Sequence, residues 1–106
     1  MIVYNVTVNV EDSIREDWVR WMKEEHIQAV LDTGLFVGYR FSRVMIEEES
    51  GTTFSVQYQA TDMESFKLYE QLYAQKLRKD TMDRFGNKLV AFRTLLEIID
   101  EKYPNQ

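Results

Sequence analysis

The chain has 106 residues, 44% of them hydrophobic and 13% aromatic, enough for one packed domain spanning residues 1–106 and contrary to disorder. A net charge of −5 repels phosphate backbones and argues against nucleic-acid binding. With no cysteine and one histidine, disulfides, thiol nucleophiles, Fe–S clusters and multi-histidine metal sites are excluded.

Residues 2–10 alternate, with Ile2, Tyr4, Val6, Val8 and Val10 on one face and Val3, Asn5, Thr7 and Asn9 on the other. This predicts a half-buried strand. Ser13 and Glu16 read as a capping box that opens a helix running to about Thr33. Gly34 terminates it, because glycine accepts the left-handed conformation without strain. At the helical repeat, Ile14, Trp18, Trp21, Met22, Glu25 and Ala29 share the sheet-facing stripe, with Val19, His26 and Val30 beside it.

A second strand is predicted over Gly38–Ile46 and a third over Thr53–Ala60, joined as a hairpin through the acidic turn Glu47-Glu48-Glu49-Ser50-Gly51. The acidic side chains there are expected to stay solvated, and their spacing lacks the alternating oxygen ligands of a calcium loop. Thr61 and Glu64 read as a second capping box, opening a helix over about Asp62–Asp80 with Phe66, Tyr69, Tyr73 and Leu77 as its stripe. Gly86-Asn87 ends it. The last strand covers residues 88–99, with Val90, Phe92, Thr94, Leu96 and Ile98 on its more apolar face. Leu89, Ala91 and Leu95 are placed on the open face, and Arg93 and Glu97 share their side of the strand. Residues 100–106 form a short polar tail.

The order strand, helix, strand, strand, helix, strand defines an α+β class, the ferredoxin-like βαββαβ sandwich: a four-stranded antiparallel sheet with two helices on one face and strand order 4-1-3-2. The polar face of its central strands carries no aromatic on which bases could stack, so RNA binding is rejected. No apolar run approaches ~18 residues, so no membrane span is expected. Tyr4 and Asn5 interrupt any signal-peptide core, and a cytoplasmic location is the expectation.

Three segments together resemble a small bacterial family of unknown function: Met1-Ile2-Val3-Tyr4-Asn5-Val6-Thr7, the helix Trp18-x-x-Trp21-Met22 with Glu25-His26-Ile27, and Phe92-Arg93-Thr94-Leu95-Leu96-Glu97. The family pattern often has proline after His-Ile, where this chain has Gln28. That family looks like a branch of the dimeric α+β barrel superfamily. The resemblance implies that two such sheets stack face to face with the helices outside, so the expected partner is a second copy of the chain. Relatives in the superfamily include cofactor-free monooxygenases, haem-handling proteins, lactone isomerases and proteins without known chemistry, so the fold alone selects no reaction.

The residues leave specific alternatives. Glu25 either reaches water from the stripe edge, pairs with Arg40 or Arg43, or lines a helix–sheet pocket where burial would suit it to proton transfer. His26 is either a structural or surface residue, a proton carrier near neutral pH, or a single haem-type ligand. Tyr4, Tyr58, Tyr69 and Tyr73, with Trp18, Trp21 and Met22, either form ordinary aromatic packing or line an amphipathic pocket for a small apolar or aromatic ligand. Arg40, Arg43 and Arg93 are expected in ion pairs, with Glu97 or across a dimer, the alternative being that they bind an acidic substrate. The chain lacks a glycine-rich phosphate loop, a GxSxG elbow and an HExxH helix. No cofactor and no metal site are expected. Two readings remain: a homodimeric small-molecule-binding protein, extending to a cofactor-free enzyme that moves a proton through Glu25 or His26, or a non-catalytic dimeric structural or interaction module.

Overall fold

The computed structural model describes residues 1–104; positions 105 and 106 of the polar tail lie outside the described residues. Four strands, β1 (Ile2–Val10), β2 (Gly38–Arg43), β3 (Thr52–Ala60) and β4 (Leu89–Glu97), form one antiparallel sheet in the order β2-β3-β1-β4. This is the expected ferredoxin-like topology, with β1 and β3 central. Helical segments α1 (Arg15–Trp21), α2 (Ile27–Leu31), α3 (Met63–Leu72) and α4 (Ala74–Phe85) cover one face. No described helix is long and apolar enough to cross a membrane.

The alternation of β1 and β3 sets the core. In register, Tyr4 lies opposite Tyr58, Val6 opposite Val56 and Val8 opposite Phe54, all facing the helices. Facing pairs present their side chains to one side of the sheet, so the odd residues form the open face. On that face Ser55 donates to Asn5 (2.7 Å) and Asn9 to Thr53 (3.2 Å).

The first helical run departs from ideal repeat. A 3₁₀ turn, Asp12–Ile14, leads into α1, and a π turn, Met22–His26, separates α1 from α2. The Ile27 amide donates to the Met22 carbonyl, five residues back. Such a turn inserts one residue and rotates everything beyond it. The buried positions follow: Trp18, Trp21 and Met22, then Ile27 and Val30, with a step of five from Met22 to Ile27 instead of four. Glu25, on the stripe of a regular helix, is turned out to solvent, and the neighbouring His26 is turned partly in. No ion pair joins Glu25 to Arg40 or Arg43 among the described residues. Gly34 ends the run with φ of 77° as expected, and the Thr33 hydroxyl donates to the Val30 carbonyl at 2.7 Å.

Other expectations are corrected. Neither Ser13 nor Glu16 caps a helix: Ser13 lies inside the 3₁₀ turn, and no side chain caps α1. The cap of α3 is Asp62, whose carboxylate accepts from the Ser65 amide at 2.8 Å, one residue beyond the expected Thr61. The second helix is not continuous: Tyr73 sits at a break with φ −128° and ψ −31°, and the chain resumes as α4 up to Phe85. Strand β2 stops at Arg43, short of Ile46.

The acidic turn is not wholly solvated. Glu48 folds back onto the sheet, accepting from the Thr53 amide at 3.0 Å, from the Thr53 hydroxyl and from the Asn9 side chain at 3.3 Å. Gly51 at φ 75° permits this, because a Cβ there would lie 2.9 Å from the Val10 carbonyl.

The largest correction concerns β4. Val10 pairs with Leu89, Val8 with Ala91, Val6 with Arg93 and Tyr4 with Leu95, so these residues face the helices. Val90, Phe92, Thr94 and Leu96 lie on the open face beside Val3, Asn5, Thr7 and Asn9. Alternation tells which side chains share a face; it does not tell which face meets the helices. Arg93 makes no ion pair with Glu97 among the described residues and turns toward Tyr4 instead.

The phase shift at the π turn can be tested directly. Deleting exposed Glu24 removes the inserted residue, lets the run close as a regular helix and keeps Ile27 and Val30 buried. The melting temperature should stay within a few degrees of wild type. Deleting exposed Gln28 in the regular turn beyond it rotates Val30 off the core and should cost about 2 kcal/mol in chemical denaturation.

Candidate functional site

Between the helices and the sheet lies a cavity of about 70 Å³, partly open to solvent. Its inner wall is apolar and fully buried: Trp18 from α1, Met22 from the π turn, Val30 from α2, and Val56 and Tyr58 from β3. The alternation of β1 and β3 and the rephased helix bring these side chains together. Its polar groups come from β1, the π turn, α3, α4 and β4: Tyr4, His26, Tyr69, Arg78, Thr81 and Arg93.

Tyr4 is the centre of this polar set. Its hydroxyl oxygen accepts from Arg78 Nη2 at 3.0 Å and from Arg93 Nε at 3.1 Å. Those two bonds occupy both lone pairs of the phenolic oxygen, leaving its proton free to donate. Arg78 also donates to Glu70 at 2.5 Å, forming a half-exposed ion pair. The Arg78 Nε is buried and has no hydrogen-bond partner among the described residues. Arg93 comes from an otherwise exposed position at the edge strand, so the guanidiniums stand at the rim and the apolar side chains deeper in.

His26 stacks on Trp21 with ring centroids 4.8 Å apart and lies between the cavity and an outer groove that holds Glu25, Asp80 and Asp83. Burial pushes its pKa down to about 4, with Asp80 acting against that shift and Arg93 adding to it. The ring is therefore neutral at pH 7. Burial also lifts the Tyr58 and Tyr69 phenols above their ordinary range, reinforced by neighbouring tyrosines, so both remain protonated. At Arg78, desolvation opposes the charge but is outweighed by the hydrogen bonds to Tyr4 and Glu70, and the guanidinium stays charged.

The cavity thus gathers Tyr4, Trp18, Met22, His26, Tyr58 and Tyr69. It does not include Glu25, which is exposed, or Trp21, which packs on Phe85 behind His26 at 5.3 Å. Nor does it include Tyr73, 39% exposed at the α3–α4 break. Among the described residues no cluster of three or more histidine or acidic side chains could hold a metal ion. Sequence reasoning missed Arg78 and misplaced Arg93. A signal for Arg78 exists: it lies four residues after buried Ala74 and one after buried Leu77, a cation on the sheet-facing stripe of α4.

A family model for a domain of unknown function, DUF4286, matches residues 1–99, and the chain belongs to that family. No curated protein matches it by sequence. Solved structures share the fold at low identity. A dimeric ferredoxin-like protein from an uncultured marine organism is 10% identical with a TM-score of 0.75, over 95% of this chain and 97% of that one. An ethyl tert-butyl ether D (EthD) family protein from Bacillus halodurans is 15% identical with a TM-score of 0.70, over 93% of this chain and 100% of that one. An MhuD variant with two manganese protoporphyrin IX bound per active site is 12% identical with a TM-score of 0.68, over 97% and 99%.

The His26 shift carries a stability consequence. The folded pKa lies below the unfolded value of 6.5, so only the unfolded chain gains a proton between the two. Stability should therefore fall as pH drops from about 6.5 to about 4 and level off below, by roughly 3 kcal/mol if the whole shift is expressed. In His26→Phe that component of the pH dependence, followed by urea unfolding across the window, should disappear.

Proposed function

We propose that the chain is a homodimeric α+β barrel protein that binds a small molecule in the helix–sheet cavity of each protomer. The observation that carries this reading is the cavity itself: an apolar wall with convergent polar groups, one of them a buried donor without an acceptor. Pockets of this composition are where small ligands bind. At about 70 Å³ the enclosed space suits a compact molecule or the buried end of a longer one, and a porphyrin of the kind held by the MhuD structure does not fit into it.

Of the two proton carriers expected from the sequence, His26 is the one at the cavity wall. As a neutral imidazole it can accept a hydrogen bond from a bound ligand, and its depressed pKa makes it a weak base at pH 7. Exposed Glu25 is given no role.

The dimer rests on the open face. Phe92 is 67% exposed there, with Val90 and Leu96 also exposed, beside the polar rows of β1 and β3. Large apolar side chains on a face otherwise built from Asn, Thr, Ser and Gln suit a two-fold interface with a wet centre. The likeness to a protein described as dimeric and ferredoxin-like supports the same arrangement.

Two measurements test this. Titration with phenol should change the fluorescence of Trp18 saturably, and Ala91→Leu, which fills the cavity from the β4 side, should abolish the change without unfolding the protein. A flat titration would leave the structural-module reading standing. In light scattering the wild type should return twice the chain mass at micromolar concentration, and Phe92→Asp should return one chain mass.

A further inference from the structure

We infer that the cavity takes a compact monocarboxylate, with the carboxylate held at the rim by Arg78 and Arg93 and the apolar part directed toward Trp18 and Met22. This rests on the small-molecule reading and adds the chemistry of the ligand.

The first ground is charge. Two guanidiniums converge on one tyrosine oxygen, and a single carboxylate, Glu70, offsets them. One positive charge is therefore left over at the mouth of an apolar space. Convergent like charges oppose each other, and a shared neutral hydroxyl relieves that only in part. A bound monoanion would neutralise the surplus, whereas a dianion would overshoot it.

The second ground is the unmet donor. Arg78, a cavity-lining residue, spends Nη2 on Tyr4 and Glu70, and its buried Nε lacks an acceptor. Buried donors are almost always satisfied in native proteins, by protein or by water, so this one is open to an acceptor from solvent or from a ligand. With both Nη2 protons engaged, Nε and Nη1 are the Arg78 donors left for an incoming carboxylate, each through a single charge-assisted bond. The freed proton of the Tyr4 hydroxyl supplies a further donor beside it.

The third ground is what the site lacks. Of its cavity-lining side chains none is acidic, and the acids of this negatively charged protein nearest to His26 line the outer groove instead. The inner wall offers fully buried Val30 and Val56, which cannot hydrogen-bond a second polar end of a ligand there, and the indole of Trp18 presents mostly apolar surface. A molecule with one charged end and one apolar end fits this division. Planar carboxylate is favoured over phosphate because only one net charge is available and the remaining volume is small.

The test pairs acids with their neutral isosteres. Benzoate and isobutyrate, titrated into the protein by calorimetry at pH 7, should bind at least about tenfold more tightly than benzamide and isobutyramide, the margin expected of one charge-assisted hydrogen bond or more. Arg78→Met and Arg93→Met should each erase most of that preference. Arg78→Lys, which keeps the charge and loses the Nε and Nη1 donors, should recover part of it. Should Arg78→Met fail to fold, Arg93→Met at the exposed edge strand carries the comparison alone. Equal affinity for acids and amides would overturn the carboxylate inference and leave the small-molecule reading intact. An acid preference that survives both substitutions would also overturn it. If acids, amides and phenol all fail to bind, both readings fall together.

Discussion

The ring of Tyr4 packs against Phe36, Tyr58, Phe66 and Tyr69, with centroids 5.0 to 6.3 Å away, and its hydroxyl at the other end receives two guanidinium hydrogen bonds. One side chain on the central strand therefore ties the aromatic core to the polar group of the cavity. The arrangement depends on β1 lying between β3 and β4: β3 brings Tyr58 to one side of Tyr4, and β4 brings Arg93 to the other. Burying a phenol without a partner would cost about 1–3 kcal/mol. The arginines remove that cost and place positive charge where the core ends.

The helical run over β1 is shaped by the same requirement. A regular helix through residues 15–31 would aim Glu25 toward the layer and turn Ile27 aside. The π turn moves a carboxylate into water and puts Ile27, Val30 and part of His26 against the sheet. Desolvating an ionised carboxylate costs far more than one irregular turn, so the backbone yields before the charge does. On the far side, the break at Tyr73 separates α3, which supplies Phe66 and Tyr69 to the aromatic cluster, from α4, which supplies Leu77 and Arg78 to the cavity. The cavity lies among elements whose directions are set by these two irregularities.

Much of the frame was legible beforehand. The alternation in residues 2–10 and 53–60 predicted the two central strands and their inward faces correctly. Gly34 and Gly86 marked the helix ends, and the element order predicted the sheet order. The Tyr4, Trp18, Met22, Tyr58 and Tyr69 wall of the cavity followed from those periodicities. What failed shares one cause. A uniform 100° step aims Glu25 inward, and the π turn at Met22–His26 does not keep that step. The faces of β4 were assigned by counting apolar side chains, although Phe92 and Val90 face outward and Arg93 inward. The capping boxes were chosen from local pattern, and the chain uses Asp62 where Thr61 had an equally suitable side chain.

The sequence by itself determined the class of fold, the strand-forming segments, the inward faces of the central strands and the absence of thiol and multi-histidine chemistry. These are consequences of local repeat and composition, which each segment carries regardless of its neighbours. Tertiary structure alone decided the phase of the first helical run beyond Met22, the face that β4 turns to the helices, and the meeting of Arg78 and Arg93 on Tyr4 Oη. Residues 4, 78 and 93 are far apart in the chain, and no local periodicity relates them. Their convergence depends on strand register and on how the α4 helix seats over the sheet, which are settled by the packing of the whole core.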